Sequence, residues 1–167
     1  MLKYYHKYGN IYLLLMSIEV LLMRIMGIDY GDSRVGIALS DLLGITAQGL
    51  KILPNKVYSK MLDSIVSLIE EHEVGLAVIG MPKNLNGTLG IRAEVTKDFA
   101  GDLQSRLPDL KIVFQDERLT TVEATHFLNS TNTRGKSRKA VIDTVAAEII
   151  LQSYLDTNKG EIYHGRK

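Results

Sequence analysis

Apolar residues recur along this chain with two kinds of spacing, one typical of strands and the other of helices. These spacings predict its secondary structure. Residues 24–30 form a nearly continuous apolar run with one acid, Asp29, which is typical of a strand buried on both faces. Two more apolar stretches follow at residues 35–39 and 44–53, and a turn-forming sequence separates the first two strands. The three stretches are predicted to form an antiparallel meander.

Helices and strands are predicted to alternate in the rest of the chain. Apolar residues recur at helical spacing in three stretches, at residues 56–71, 91–106 and 137–155. Short apolar runs predict two strands, at residues 75–79 and 111–114, and a capping box starts another helix at Thr120. The order βββαβαβαα predicts one α/β domain, a five-stranded mixed sheet with helices on both faces.

The first 22 residues differ from this pattern. A basic start precedes an apolar run over residues 11–22, as in a signal peptide. Glu19 interrupts the run, no small-residue cleavage site follows, and a membrane span would need about 20 apolar residues. We therefore expect Met23 to be the natural start and residues 1–22 to be an extension outside the fold, with an amphipathic appendage or an export signal as alternatives. The predicted domain spans residues 23–157, and residues 158–167 form a tail.

Composition narrows the possible functions. A length of 167 residues suits one domain. The absence of cysteine excludes zinc ribbons, disulfide frameworks and thiol catalysis. It is also compatible with a cytoplasmic location, which we expect, together with the absence of a membrane partner. The formal net charge is +1, so any surface that binds nucleic acid must be a local patch.

Two acids fall at the ends of predicted strands. Asp29 ends an apolar strand, where an unpaired charge costs on the order of several kcal/mol; alternatively, it caps the turn through Gly31. Glu117 directly follows the fifth strand, where ligand sites collect in parallel sheets; alternatively, Asp116 or Glu117 pairs with Arg118 on the surface.

A third acid, Asp143, lies on the last predicted helix. Helical spacing places Ala146, Ala147 and Ile150 on its face, which is the core side; the alternative is a solvated acid in the first helical turn. Together three carboxylates suit phosphodiester hydrolysis assisted by two divalent ions, because Mg²⁺ prefers oxygen ligands. The four histidines are scattered and lack metal-ligand spacing.

Four ordered segments resemble the YqgF/RuvX family of Holliday-junction-resolvase-like proteins and pre-16S rRNA nucleases. They are residues 26–41, 80–88, 116–124 and 141–155. The resemblance implies a ribonuclease H-like fold and a metal site formed by Asp29, Glu117 and Asp143, with Asp116 as the fallback for the second acid. One turn departs from the family's frequent Gly-Thr-Lys, because Asp32 follows Gly31; we expect Asp32 to lie in solvent and not in the metal shell.

Polar and basic residues surround this predicted centre. Four cations between residues 134 and 139 precede Asp143 and suit phosphate contacts, although an ordinary solvated loop is the alternative. The 80–90 loop has polar residues suited to substrate contacts or to a simple turn, and two arginines are either phosphate clamps or structural ion-pair partners. The predicted nucleic-acid-binding set is Lys83, Asn84, Asn86, Arg92, Arg118, Arg134, Lys136, Arg138 and Lys139.

The sequence thus predicts a Mg²⁺- or Mn²⁺-dependent endonuclease that acts on structured nucleic acid. Processing of the 5′ end of pre-16S rRNA is preferred, and resolution of four-way DNA junctions is the alternative. Two rivals are a non-catalytic nucleic-acid-binding factor in transcription or ribosome assembly, and an actin-like phosphotransferase, which normally has a much longer chain. The partner is pre-rRNA or branched DNA, and both a monomer and a homodimer are compatible with the sequence.

Overall fold

The computed structural model describes residues 23–82, 88, 90–116 and 136–159, and for residues 136–144 it describes the backbone alone. In chain order the elements are β1 (Arg24–Tyr30), β2 (Arg34–Ser40), β3 (Ala47–Pro54), α1 (Tyr58–Glu71), β4 (Val74–Met81), α2 (Ile91–Arg106), β5 (Lys111–Asp116) and α3 (Lys136–Thr157). None of the helices in these ranges is long and apolar enough to cross a membrane. The predicted extension and tail lie outside the described residues, except for 158 and 159, and both remain predictions.

The five strands form one mixed sheet in the order β3-β2-β1-β4-β5. β2 pairs antiparallel with both β1 and β3, whereas β4 pairs parallel with both β1 and β5. The meander and the mixed sheet predicted from the sequence are therefore confirmed. Because β1 lies in the middle, its carboxyl end is flanked by strands on both sides.

Helices cover both faces of the sheet, as predicted. Met26 and Ile28 of β1 belong to a core cluster that contains buried residues of α1 and α2. Ile25, which precedes Met26, belongs to a second cluster with residues of α3. Since successive side chains of a strand point to opposite faces, odd-numbered residues of β1 face α3, and even-numbered residues face α1 and α2.

The helices α1 and α2 follow their sequence patterns. α1 buries four side chains at spacings of one, three and four residues, namely Met61, Leu62, Ile65 and Ile69. α2 buries Ala93, Thr96, Phe99, Ala100 and Leu103. The Phe99 ring stacks on Tyr30 of β1, with the ring centroids 4.3 Å apart, so α2 is held against the end of the central strand.

Several element boundaries differ from the sequence prediction by one to three residues. β3 begins at Ala47 instead of residue 44, because the Asp41 carboxylate accepts hydrogen bonds from the N–H groups of Ile45 and Thr46 and holds a turn there. β5 continues two residues further, to Asp116. α3 begins at Lys136, so the end of the predicted basic loop is helical. The helix predicted from Thr120 lies outside the described residues.

α3 lies unusually close to β1 at Gly27. A Cβ atom at Gly27 would be 2.7 Å from the Cβ of Leu151 and 2.8 Å from the carbonyl oxygen of Ala147. Both distances are shorter than van der Waals contact. Gly27 is therefore required by the approach of helix to strand.

We predict that Gly27→Ala destabilises the protein by about 1–3 kcal/mol, since overpacking a dense core has costs of this size. Urea unfolding followed by circular dichroism measures the change. Gly101→Ala in α2 is the control, because its added Cβ would meet no atom within 4 Å and alanine favours a helix over glycine by about 0.5–1 kcal/mol. Equal stability of the two variants would contradict the close approach.

Candidate active site

Asp29 lies on the face of the sheet that α3 covers. It alternates with Ile28 and Tyr30, which pack toward α1 and α2, so its carboxylate points the other way. The side chain is half-buried. The Gly31 N–H donates to the carbonyl oxygen of Arg34 at 3.0 Å, and the backbone therefore closes the turn after β1. This disfavours the alternative in which Asp29 caps that turn through Gly31.

Glycines occupy the positions around Asp29 on this face. Gly36 of β2 is its partner in the register of the sheet. On the other flank Ile28 pairs with Ile79 of β4, so the next residue of β4, Gly80, lies beside Asp29. Gly27 lies two residues before Asp29 and is on the same face. Gly36 and Gly80 place no side chain beside the carboxylate, whereas α3 packs directly on Gly27.

The contacts of α3 show which of its turns lies over Asp29. The N–H of Ala47 donates to Gln152 at 2.8 Å, and the N–H of Gly49 donates to Glu148 at 3.3 Å. Two steps forward along β3 thus correspond to four steps back along α3. Because β1 and β3 are both antiparallel to β2, the same relation holds for β1.

The same register between α3 and β1 places position 143 of α3 over Asp29. Gly27 lies against Ala147 and Leu151, so Asp29, two residues further, corresponds to positions 143 and 147. Two strand residues span about 6.6 Å and four helical residues about 6 Å, so the spacings agree. Since α3 begins at Lys136, position 143 is about two turns into the helix, and the alternative of an acid in the first turn is wrong.

Asp116 does not share the face of Asp29. The neighbouring Gln115 donates a hydrogen bond to Ser153 of α3 at 3.1 Å, so Gln115 is on the α3 face and Asp116 is on the opposite one. This disfavours Asp116 as the fallback for the second acid. Asp116 was predicted to follow the fifth strand, but it pairs with Met81 inside the sheet.

Most of the other predicted site residues are not described at side-chain level. Glu117, Lys83, Asn84, Asn86, Arg118 and Arg134 lie outside the described residues. Lys136, Arg138, Lys139 and Asp143 lie on α3, where the backbone alone is described. Among the side chains that are described, no group of three His, Cys, Asp or Glu residues could hold a metal ion, so the three-acid site stays a prediction.

Arg92 and Asp32 form an ion pair at the edge of this region. The Arg92 Nη1 atom is 2.8 Å from Asp32 Oδ2, and the two side chains are 59% and 72% exposed. The expectation that Asp32 lies at the solvent-exposed surface is confirmed. For Arg92 the structural alternative, an ion-pair partner, is the arrangement observed.

Asn55 is a site residue that sequence reasoning missed. Its side-chain amide donates to the Gly31 carbonyl oxygen at 3.0 Å, and its N–H donates to the Ser33 carbonyl oxygen at 2.9 Å. These bonds hold the turn that follows Asp29 from the end of β3. In the sequence, Pro54-Asn55 indicated a strand end, and no local pattern connects it with residues more than twenty positions earlier.

Tyr58 lies behind the site, between α1 and α2. Burial raises the pKa of its hydroxyl well above the usual range, and the hydrogen bond that it donates to Asp102 at 2.6 Å acts in the same direction. The hydroxyl therefore stays protonated at neutral pH. It serves to connect the two helices and is unsuited to proton transfer near pH 7.

Comparison with known proteins is consistent with this geometry. A family model described as RuvX, Holliday junction resolvase, matches residues 23–157. A protein of Halothermothrix orenii is 52% identical over 134 residues, which are 80% of this chain and 95% of the relative. A protein of Acetivibrio thermocellus is 45% identical over 141 residues, 84% of this chain and 99% of the relative. Both are named "Putative pre-16S rRNA nuclease".

Two solved structures share the fold at low sequence identity. One is T. thermophilus RuvC in complex with a Holliday junction substrate, with a TM-score of 0.50, 11% identity, and coverage of 83% of this chain and 96% of that one. The other is the fowlpox virus resolvase with Holliday junction DNA, with a TM-score of 0.53, 11% identity, and coverage of 81% and 98%. At this identity the likeness shows the fold alone.

The fold and the relatives define a nuclease of the ribonuclease H-like class, a hydrolase of phosphodiester bonds. The chain belongs to the RuvX family. The fold class, the enzyme class and the family predicted from the sequence are thereby confirmed.

We predict that Asn55→Ala loosens the turn after Asp29, because the change removes the side-chain hydrogen bond to the Gly31 carbonyl oxygen. The side-chain bond alone is worth about 0.5–1.5 kcal/mol, and amide hydrogen exchange at Gly31 to Arg34 is expected to accelerate. Asn158→Ala is the matched control, since Asn158 also donates to one carbonyl, that of Tyr154, at the far end of α3. Unchanged exchange at the turn in Asn55→Ala would contradict this role.

Proposed function

We propose that this protein is a divalent-metal-dependent endonuclease that acts on structured RNA and processes the 5′ end of pre-16S rRNA in the cytoplasm. The observation that carries the proposal is the placement of Asp29 on a glycine-lined surface, opposite the turn of α3 that contains position 143. The names of the relatives from Halothermothrix orenii and Acetivibrio thermocellus support the RNA substrate.

Asp29, Glu117 and Asp143 are the residues that would hold Mg²⁺ or Mn²⁺. The donor set fits, because hard divalent ions take carboxylate oxygens and keep several waters, and the glycines beside Asp29 leave space for both. Bound there, two such ions would supply the activation of water and the stabilisation of the leaving oxygen. The backbone of α3 at position 143 lies over Asp29, which supports the proposal that the two carboxylates would converge from rigid elements.

Glu117 is a better second acid than Asp116. Asp116 points away from α3, as its neighbour Gln115 contacts Ser153. Glu117, the other acid at this point of the chain, is the residue that the family resemblance implies.

The remaining predicted residues would bind and orient the nucleic acid. The first turns of α3, before position 143, contain Lys136, Arg138 and Lys139. Arg134 precedes them in the sequence. They suit salt-dependent contacts with phosphates. The other proposed contacts, which come after β4 and β5 in the chain, are Lys83, Asn84, Asn86, Arg92 and Arg118.

Resolution of four-way DNA junctions is the second candidate. The description of the family as a Holliday junction resolvase favours it. The same acids and metal would serve either reaction, since both cleave a phosphodiester bond. A factor that binds nucleic acid without cleaving it is the third candidate, and it requires no acid site.

We predict that wild-type protein cleaves a precursor rRNA fragment spanning the mature 16S 5′ end, with Mg²⁺ or Mn²⁺, faster than a synthetic four-way DNA junction. Asp29→Asn, Glu117→Gln and Asp143→Asn each lower the rate on the order of 100-fold or more, a typical loss when a group that stabilises transition-state charge is removed. Asp116→Asn stays close to wild type. Gel-based cleavage rates measure these effects.

Asp109→Asn is the matched control for charge, because Asp109 is exposed and precedes β5 at the opposite end of the sheet. Unfolding curves establish that each variant folds. Cleavage of neither substrate with either metal, or equal rates for Asp29→Asn and wild type, would contradict the proposal. Faster cleavage of the junction would favour the second candidate, and binding that survives loss of all three acids without cleavage would favour the third.

A further inference from the structure

The Asp32 and Arg92 pair connects two segments that flank the proposed centre. Asp32 lies in the turn three residues after Asp29, and Arg92 lies in the first turn of α2. The guanidinium and the carboxylate are 2.8 Å apart. The pair therefore bridges the turn after β1 and the helix that follows β4, across the end of the sheet where Asp29 lies.

Both side chains project from backbone that is fixed. On the Asp32 side, Asn55 bonds the carbonyl oxygens of Gly31 and Ser33, which flank Asp32. On the Arg92 side, the carbonyl oxygen of Arg92 accepts a hydrogen bond from the buried Thr96 hydroxyl at 2.9 Å. The positions of both side chains are thus fixed by hydrogen-bonded backbone, although both charged groups face water.

A carboxylate in this place has an electrostatic consequence. It satisfies a guanidinium that would otherwise be open to a phosphate, and it adds a negative charge beside Asp29. Exposed ion pairs are weak. A phosphate can therefore displace the carboxylate at small cost, because the guanidinium fork matches both anions.

We propose that Asp32 is a specificity-determining residue that competes with substrate phosphate for Arg92. In the free protein Arg92 is paired with Asp32, and in the complex Arg92 binds a backbone phosphate while Asp32 turns to water. A nucleic-acid strand whose phosphate reaches Arg92 overcomes the repulsion of Asp32. A strand that contacts Asp29 but does not reach Arg92 is repelled by the Asp32 charge and binds more weakly. The proposal rests on the proposed function through its use of Arg92 as a phosphate ligand.

A binding experiment without metal separates this proposal from cleavage. The probe is a fluorescein-labelled RNA hairpin with a single-stranded flank, titrated with full-length protein in EDTA between 50 and 200 mM KCl, and the dissociation constant is read from anisotropy. We expect Arg92→Gln to weaken binding and to reduce the slope of log affinity against log salt by about 0.7–0.9, as for the loss of one phosphate contact.

Asp32→Asn is expected to tighten binding by up to about fivefold, the equivalent of one exposed ion pair, with the salt slope retained. In the Arg92→Gln background the same change has a smaller effect, because no competition is left to relieve. Asp63→Asn is the matched control: Asp63 and Arg106 form another exposed pair at 2.7 Å, and this change removes one negative charge elsewhere without altering the affinity for RNA.

Three results would overturn the proposal. They are weaker binding by Asp32→Asn, which would make Asp32 a support for Arg92; an unchanged salt slope in Arg92→Gln; and no binding of the hairpin by wild type. A protein that shows the expected binding pattern but cleaves nothing in the presence of metal would refute the nuclease proposal and leave the competition between Asp32 and phosphate intact.

Discussion

The close contact of α3 with β1 at Gly27 determines how the rest of the site is arranged. Without a side chain at Gly27, the backbone of the helix rests on the strand near Ala147 and Leu151. Interiors are packed too densely for such a contact to slide by a residue. The register of helix against strand is thereby set, and with it the position on α3 that lies over Asp29.

This arrangement brings together two positions, 29 and 143, that are far apart in the chain. They belong to the first and the last described elements, β1 and α3, and they lie close because the helix runs antiparallel to the central strand. The glycines at positions 36 and 80 keep the surface beside Asp29 free of side chains. A rigid strand and a rigid helix hold such a site more closely than loops do.

Local patterns predicted most of the fold, and Asp29 stood out because a charge interrupts a buried apolar run. The mixed sheet and the helices on both faces followed from the same patterns and the family resemblance. Gly27, Asn55 and the pair of Asp32 with Arg92 were not predictable in this way. Each acts through a contact between residues 20 or more positions apart, and no local spacing encodes such a contact. The orientation of Asp116 also required the true end of β5, two residues beyond the predicted one.

The role of Asp29 as a metal ligand beneath α3 is our proposal. Anomalous diffraction from crystals soaked in Mn²⁺ can test it, because the scattering identifies the ion and its ligands without reference to a substrate. We expect a peak within about 2.0–2.3 Å of the Asp29 carboxylate oxygens, between β1 and α3 and shared with Asp143. A peak bound by Asp116 on the opposite face, or none at Asp29 under saturating Mn²⁺, would contradict it.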